Sequence, residues 1–272
     1  MKFEESYYEN ADLWAIENFG GPDRQRMATL ADKLPLDVRT LLDVGCGNGL
    51  FLKHLSEMKE RSFERLCGTD RSKTALACVQ AERVRASIDL LPFSTDEFDA
   101  VSCLEVLEHL PQTTFIGALN EISRVAHRYI LVSVPYNENL RMSLTECSKC
   151  CTRFNPHYHL RTFSRAAMHH LFDDKGFTCR EVFYMQRQRV VPSGIEVILR
   201  SVGVVKRRML RQPRPPMPDP AVCPACGYSP HTTKNESSRS IVRPSNKAGM
   251  AIRSLLSLRS RWRWIGGLYE RV

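Results

Sequence analysis

Ten cysteines are spread through 272 residues, and four of them stand in two pairs: Cys147-Ser-Lys-Cys150, with Cys151 directly after, and Cys223-Pro-Ala-Cys226, followed by Gly227. Two C-x-x-C knuckles can bring four thiolates to the corners of a tetrahedron, as zinc takes them in structural sites, and C-P-x-C-G is a common ribbon turn. The other readings are unrelated surface cysteines or a redox pair, and redox is disfavoured because neither pair opens a helix after a strand. About 70 residues separate the pairs, so zinc would clip an insert to the tail, with Cys151, His157 or His159 able to replace one ligand. The remaining cysteines, Cys46, Cys67, Cys78, Cys103 and Cys179, fall in strand and helix patterns and read as small core residues.

A second constellation runs Thr40-Leu41-Leu42-Asp43-Val44-Gly45-Cys46-Gly47-Asn48-Gly49-Leu50. An apolar run ends in an acid, three glycines alternate with other residues, and a helical pattern follows; that order is strand, tight turn, helix. Glycines leave no side chain between backbone and ligand, and the turn aims N–H groups from a helix N-terminus. Dinucleotide sites need two residues between the last two glycines, whereas Gly47 and Gly49 are separated by one, which disfavours NAD. Asp70 closes a short strand at 65–69, where a carboxylate can accept two hydrogen bonds from a ribose diol. His109 follows the fourth strand, and His157, Tyr158 and His159 sit just before a later helix. Each histidine is either a structural hydrogen-bonding group or a proton acceptor at the crevice rim, with His159 the first choice of base and His109 the second.

These residues need elements to hold them. Residues 3–34 read as helical and aromatic, with Gly20-Gly21-Pro22 as a break; the aromatics are core or a lid over the site. Helices are expected over 50–58, 72–80, 113–125 and 164–173, with Ser164 an N-cap, and strands over 84–88, 98–103, 127–134 and 177–185. Strands alternating with helices predict an α/β fold with a doubly wound, mostly parallel sheet.

The order Asp43-Val-Gly-Cys-Gly-Asn-Gly49, then Leu91-Pro-Phe93, Phe98-Asp99 and Val106-Leu-Glu-His-Leu-Pro111, resembles class I S-adenosylmethionine-dependent methyltransferases, in particular the ubiquinone and glycan-pathway group. The resemblance covers roughly 36–186 and implies a Rossmann-like seven-stranded sheet whose last strand is antiparallel. Residues 238–243 and 190–205 compete for that strand. It also implies a cofactor site formed by Asp43, Gly45, Cys46, Gly47 and Gly49, by Asp70 and Arg71, and by Leu104. Many relatives carry an adenine-binding acid where this chain has Ser87; here the Ser87 hydroxyl, the Ile88 backbone and nearby Asp89 take that place. Some glycan-pathway relatives share a C-x-x-C insert followed by a His and a Phe-Ser helix start, here His159 and Phe163-Ser164.

The domains expected are a helical lid (1–35), the methyltransferase domain (36–186, with insert 136–163), and a C-terminal extension (187–272). The net charge of +9 is uneven: from Arg200 onward, 15 Lys and Arg face three acids, a surplus of twelve that leaves the first 199 residues at −3. The extension holds a proline-rich linker over 211–220, the second knuckle, and at 247–269 a pattern of apolar, aromatic and basic residues expected to form a basic amphipathic helix. No apolar run approaches the ~20 residues of a membrane span, and Met-Lys-Phe-Glu-Glu lacks the basic start of a secretory signal. The expected setting is cytoplasmic with reduced thiols, and peripheral on the inner membrane face if the basic helix meets anionic lipid. The expected function is methylation of a small-molecule, glycan or lipid-linked acceptor. The competing class is an RNA- or protein-binding zinc module on a methyltransferase-like body, with nucleic acid less favoured because the tail's aromatics cluster rather than interleave.

Overall fold

The computed structural model describes residues 7–15, 19–190, 221–229 and 259–272. Two helices, α1 (Ala11–Trp14) and α2 (Gly21–Lys33), precede the sheet. Strand β1 (Thr40–Val44) then leads into α3 (Leu50–Glu57), β2 (Arg65–Asp70) into α4 (Lys73–Ala77), and β3 (Glu82–Arg85) through a loop into β4 (Phe98–Leu104). Helix α5 (Gln112–Val125) runs into β5 (Ala126–Pro135). A small hairpin of β6 (Thr145–Glu146) and β7 (Arg153–Phe154), then α6 (Arg165–His169), β8 (Phe177–Val190) and β9 (Arg259–Arg271) complete the order.

The main sheet has seven strands in the order β3-β2-β1-β4-β5-β9-β8. The first five are parallel, and β9 runs antiparallel to both β5 and β8. Strands covered on both faces read as largely apolar runs, as Leu41–Val44 and Ile130–Val134 do, interrupted only by the buried Asp43 and Ser133. Side chains alternate between faces. Leu42, Val101 and Ile130 pack with Ile122 of α5 and Met168 of α6, while Leu41, Ala100 and Leu131 pack with Leu30 of α2 and Phe51 of α3. Ser164 caps α6 by accepting from Ala167 N at 3.1 Å, and Ser72 caps α4 by accepting from Ala75 N at 3.0 Å. Strand β3 ends at Arg85 rather than running to residue 88, because the chain turns there and Ser87 bridges to Leu90.

The seventh strand is a correction. Residues 238–243 lie outside the described residues, and of 190–205 only Val190 is described, as the end of β8. The strand is β9, which overlaps the stretch 247–269 expected to be a basic helix and runs two residues past it; residues 247–258 of that stretch also lie outside the described residues. Arg259-Ser-Arg-Trp-Arg-Trp264 alternates with period two, and Gly266-Gly267 would weaken a helix interior by about 1 kcal/mol per glycine. In the sheet Gly266 is needed, since a Cβ there would stand 2.4 Å from the Phe183 ring. Trp264 and Tyr269 are 5% and 0% exposed, so these aromatics serve the sheet and are closed to a bilayer. Trp262 stacks on Tyr184, with Arg187 over its ring. Thus β9 comes from the stretch expected as an extension beyond 186 and lies inside the sheet.

Candidate active site

The cleft opens where the carboxyl ends of β1, β2 and β4 meet the glycine turn. Gly45, Gly47 and Gly49 have φ of 73°, 54° and 77°. Gly45 and Cys46 N–H groups both donate to Thr69 O, at 2.7 and 2.9 Å, which binds the turn to the end of β2. A Cβ on Gly47 would lie 2.7 Å from the Trp14 ring, so the bare backbone lets α1 close over the turn.

Asp70 is fixed by that architecture. Its Oδ2 accepts from Gly47 N at 3.0 Å and its Oδ1 from Ser72 N at 2.8 Å. Burial raises its carboxyl, and those two N–H donors oppose the rise. Asp43 lies deeper, 3% exposed, accepts from Ser102 Oγ at 2.6 Å, and is pushed up to about 7 by burial.

Between these residues lies a cleft of about 280 Å³. It is lined by Gly45, Asp70, Arg71, Ser87 and Ile88 and by Tyr8, Trp14, Glu105 and His109. Of the cofactor residues expected, Asp43, Cys46, Gly47, Gly49, Asp89 and Leu104 do not line this cleft: Asp43, Cys46, Gly47 and Gly49 are buried in the strand and turn, Asp89 accepts from Ser87 Oγ at 2.5 Å, and Leu104 packs on the core. Ser87 and Asp89 therefore share one hydrogen bond, with Ile88 between them on the cleft wall.

Around His109 and His159 the fold gathers carboxylates that carried less weight in the sequence, Glu105, Glu108 and Glu138. Glu105 has φ of 60°, an uncommon value for a side-chain-bearing residue, and is tied down by Ser133 Oγ at 3.1 Å and by Arg26 at 3.1 Å. Glu108 is 1% exposed and neither carboxylate oxygen has a hydrogen-bond partner. Burial, then the charge of Glu105, raises its carboxyl well above the ordinary range. His109 accepts or donates at Nδ1 to Tyr8 Oη at 3.1 Å, and burial with His159 and His157 nearby lowers it to about 3, so it is neutral. The His109 and His159 rings lie 4.7 Å apart, edge to face. His159 Nδ1 bonds the Glu138 carboxylate; burial would raise Glu138, but that bond outweighs it and holds the acid at about 2. Glu108 stood in the quoted Val-Leu-Glu-His-Leu-Pro motif; Glu138 carried no local signal, because it reaches His159 only through the fold of the insert.

The two cysteine knuckles meet. Cys147 Sγ is 3.7 Å from Cys226 Sγ, and Cys150 Sγ is 3.6 Å from Cys223 Sγ. Sulfurs bound to zinc at about 2.3 Å in a tetrahedron stand about 3.8 Å apart, so the set fits that ion, while a disulfide needs about 2.05 Å. Cys151, His157 and His159 are outside the four-sulfur cluster. Cys147 and Cys223 pack with Tyr7, Tyr158 and Val222, and Tyr158 Oη donates to Val222 O. Tyr7 also stacks edge-on against Tyr8, which carries the cluster's packing to the cleft wall.

The family model described as "Methyltransferase domain" matches residues 18–182. The chain is 29% identical over 101 residues to a ubiquinone biosynthesis O-methyltransferase of Pseudomonas entomophila, covering 34% of this chain and 42% of that protein. It thus spans about two-fifths of that curated relative. Its fold is similar to a chain of the complex between the Haloferax volcanii Trm112 methyltransferase activator and a methyltransferase, with a TM-score of 0.54, 15% identity, and 96% and 95% of the two chains covered. It is also similar to magnesium protoporphyrin IX methyltransferase from Synechocystis PCC 6803 with bound SAH, with a TM-score of 0.52, 14% identity, and 68% and 93% covered. With the family match spanning most of the sheet and this strand order beneath it, the chain belongs to the class I S-adenosylmethionine-dependent methyltransferases.

Proposed function

We propose that this chain transfers a methyl group from S-adenosylmethionine to an oxygen of a small-molecule acceptor. The observation that carries the proposal is one cleft whose lining brings Gly45, Asp70 and Ser87, read as the cofactor's contacts, together with His109. S-adenosylmethionine, when bound, supplies an already activated methyl group, so the protein's task is alignment. Asp70, held by two backbone N–H groups, presents its carboxylate to the ribose, while Ser87 and Ile88 border the adenine. Tyr8 and Trp14 add two aromatic rings to the cleft wall. The acceptor hydroxyl meets the histidines, and His159 and His109 are the groups placed to handle its proton. The names of the ubiquinone-biosynthesis relatives support oxygen as the acceptor atom.

The Cys147, Cys150, Cys223 and Cys226 cluster fits a structural zinc. It would tie residues 221–229 to the insert and brace Tyr7 and Tyr8. A lipid-linked glycan met at an anionic membrane face has less support than a soluble acceptor. Its motive was the aromatic basic tail, whose described part is β9, and no helix among the described residues is long and apolar enough to cross a membrane. Calorimetry with S-adenosylmethionine, followed by S-adenosylhomocysteine release with a panel of phenols and sugars, tests the reading. A chain that binds no S-adenosylmethionine but retains RNA or a protein partner would replace it with the binding-module class.

A further inference from the structure

Glu108 is the group the methyl-transfer reading leaves without a task. It is 1% exposed, it lies beside the cleft, and neither carboxylate oxygen meets a donor. Buried carboxylates are ordinarily hydrogen-bonded, paired with a charge, or bound to a metal. A histidine nitrogen stands close by: His109 Nε2 is 3.8 Å from Glu108 Oε1. Ligand atoms of Glu108, His109 and His159 all lie within 4.8 Å of one another.

The outer sides of both histidines are already engaged. Tyr8 Oη bonds His109 Nδ1 at 3.1 Å, and the Glu138 carboxylate bonds His159 Nδ1. Such outer partners fix the ring and tautomer of a metal-binding histidine and leave its Nε2 as the ligand. A carboxylate with two imidazoles suits divalent manganese, iron or zinc, and leaves coordination positions open. Ligands around such an ion stand about 3 Å apart, so the group needs a modest side-chain closure.

We propose that Glu108, His109 and His159 form a second metal site, separate from the four cysteines. It holds one divalent cation beside the cleft that His109 lines, with open positions to receive two adjacent oxygens of the acceptor. The inference rests on the methyl-transfer reading for its role and on the side-chain cluster for its existence. The cation lowers the pKa of a bound acceptor hydroxyl. That hydroxyl releases its proton to water, its oxygen pair forms the O–CH3 bond, and the S–CH3 bond breaks with its pair staying on sulfur, leaving S-adenosylhomocysteine. The two histidines then act through the cation rather than as free bases.

The test uses the full chain, stripped with a chelator and titrated with Mn²⁺ alone, read by the electron paramagnetic resonance of free Mn²⁺. One Mn²⁺ per chain should bind. Glu108→Gln and His159→Ala should each weaken it by at least about tenfold, whereas Cys223→Ser should not. If Glu108→Gln fails to fold, His159→Ala, at a side chain 13% exposed against 1% for Glu108, carries the same comparison. No Mn²⁺ binding by the wild type, or equal binding by the variants, overturns the site, as does methyl transfer to an adjacent-dioxygen acceptor that survives chelation unchanged. S-adenosylmethionine calorimetry on the same samples separates the two readings. Cofactor binding without Mn²⁺ removes only the cation site, and Mn²⁺ binding without cofactor removes only the methyl-transfer role.

Discussion

Replacing Asp70 by Ala removes two things at once. The first is structural: Gly47 N and Ser72 N lose their acceptor, at 3.0 and 2.8 Å, and Ser72 is only 1% exposed. A hydrogen bond to a charged group contributes about 1.5–3 kcal/mol, so two give about 3–6 kcal/mol, partly offset because the buried carboxylate no longer needs desolvating. A net loss of about 2–4 kcal/mol would lower Tm by about 4–16 °C for a domain of this size. The second is the proposed ribose contact, another ~1.5–3 kcal/mol, or roughly 10- to 150-fold in the Kd for S-adenosylmethionine. Asp70→Asn separates the two, because its amide keeps one acceptor for the turn while losing the charge. Calorimetry below the Tm of each variant reads the binding term, and thermal unfolding reads the stability term. If Asp70→Ala unfolds early yet binds cofactor as tightly as wild type, Asp70 only staples the turn and the ribose assignment is wrong.

Metal analysis of the purified chain should find zinc with the four cysteines, and Cys223→Ser/Cys226→Ser should lose it and weaken catalysis by loosening Tyr7 and Tyr8; zinc retained in full by that variant would count against the cluster. Gly47→Ala forces a Cβ to 2.7 Å from Trp14 at a φ of 54°, so Trp14 fluorescence should shift and cofactor affinity fall by about tenfold or more. Gly266→Val should be severely destabilising, by more than about 3 kcal/mol, because the Phe183 ring already occupies the space a Cβ would take; an unchanged melting curve would contradict the β9 register. Glu9 is held at about 2, first by its Thr74 side-chain hydrogen bond, against an ordinary 4.5. A depressed carboxyl adds stability above its unfolded value and loses it as pH falls through the folded one. Melting temperature should therefore drop between about pH 5 and 2 more steeply in wild type than in Glu9→Gln.

The parallel half of the sheet was legible in the residues because its causes are local. Largely apolar strands such as β1, the caps Ser72 and Ser164, and a glycine turn after β1 each declare themselves within a few positions. The edge containing β9 was not. Trp, Leu and Arg at 259–271 satisfy a helical stripe nearly as well as a strand, and only neighbours distant in sequence decide between them: Phe183 seated on Gly266, and β5 and β8 offering open edges on either side. The site divides in the same way. Residue types and spacing marked the glycine turn, Asp70, the histidines and the two cysteine knuckles as able to do chemistry. Tertiary structure alone decided which of them meet: Cys147 with Cys226, His159 with Glu138, and His109 with Tyr8 and the orphaned Glu108. The physical reason is that side-chain chemistry is written residue by residue, while distance between residues 50 or 100 apart is set by how the sheet and its insert pack.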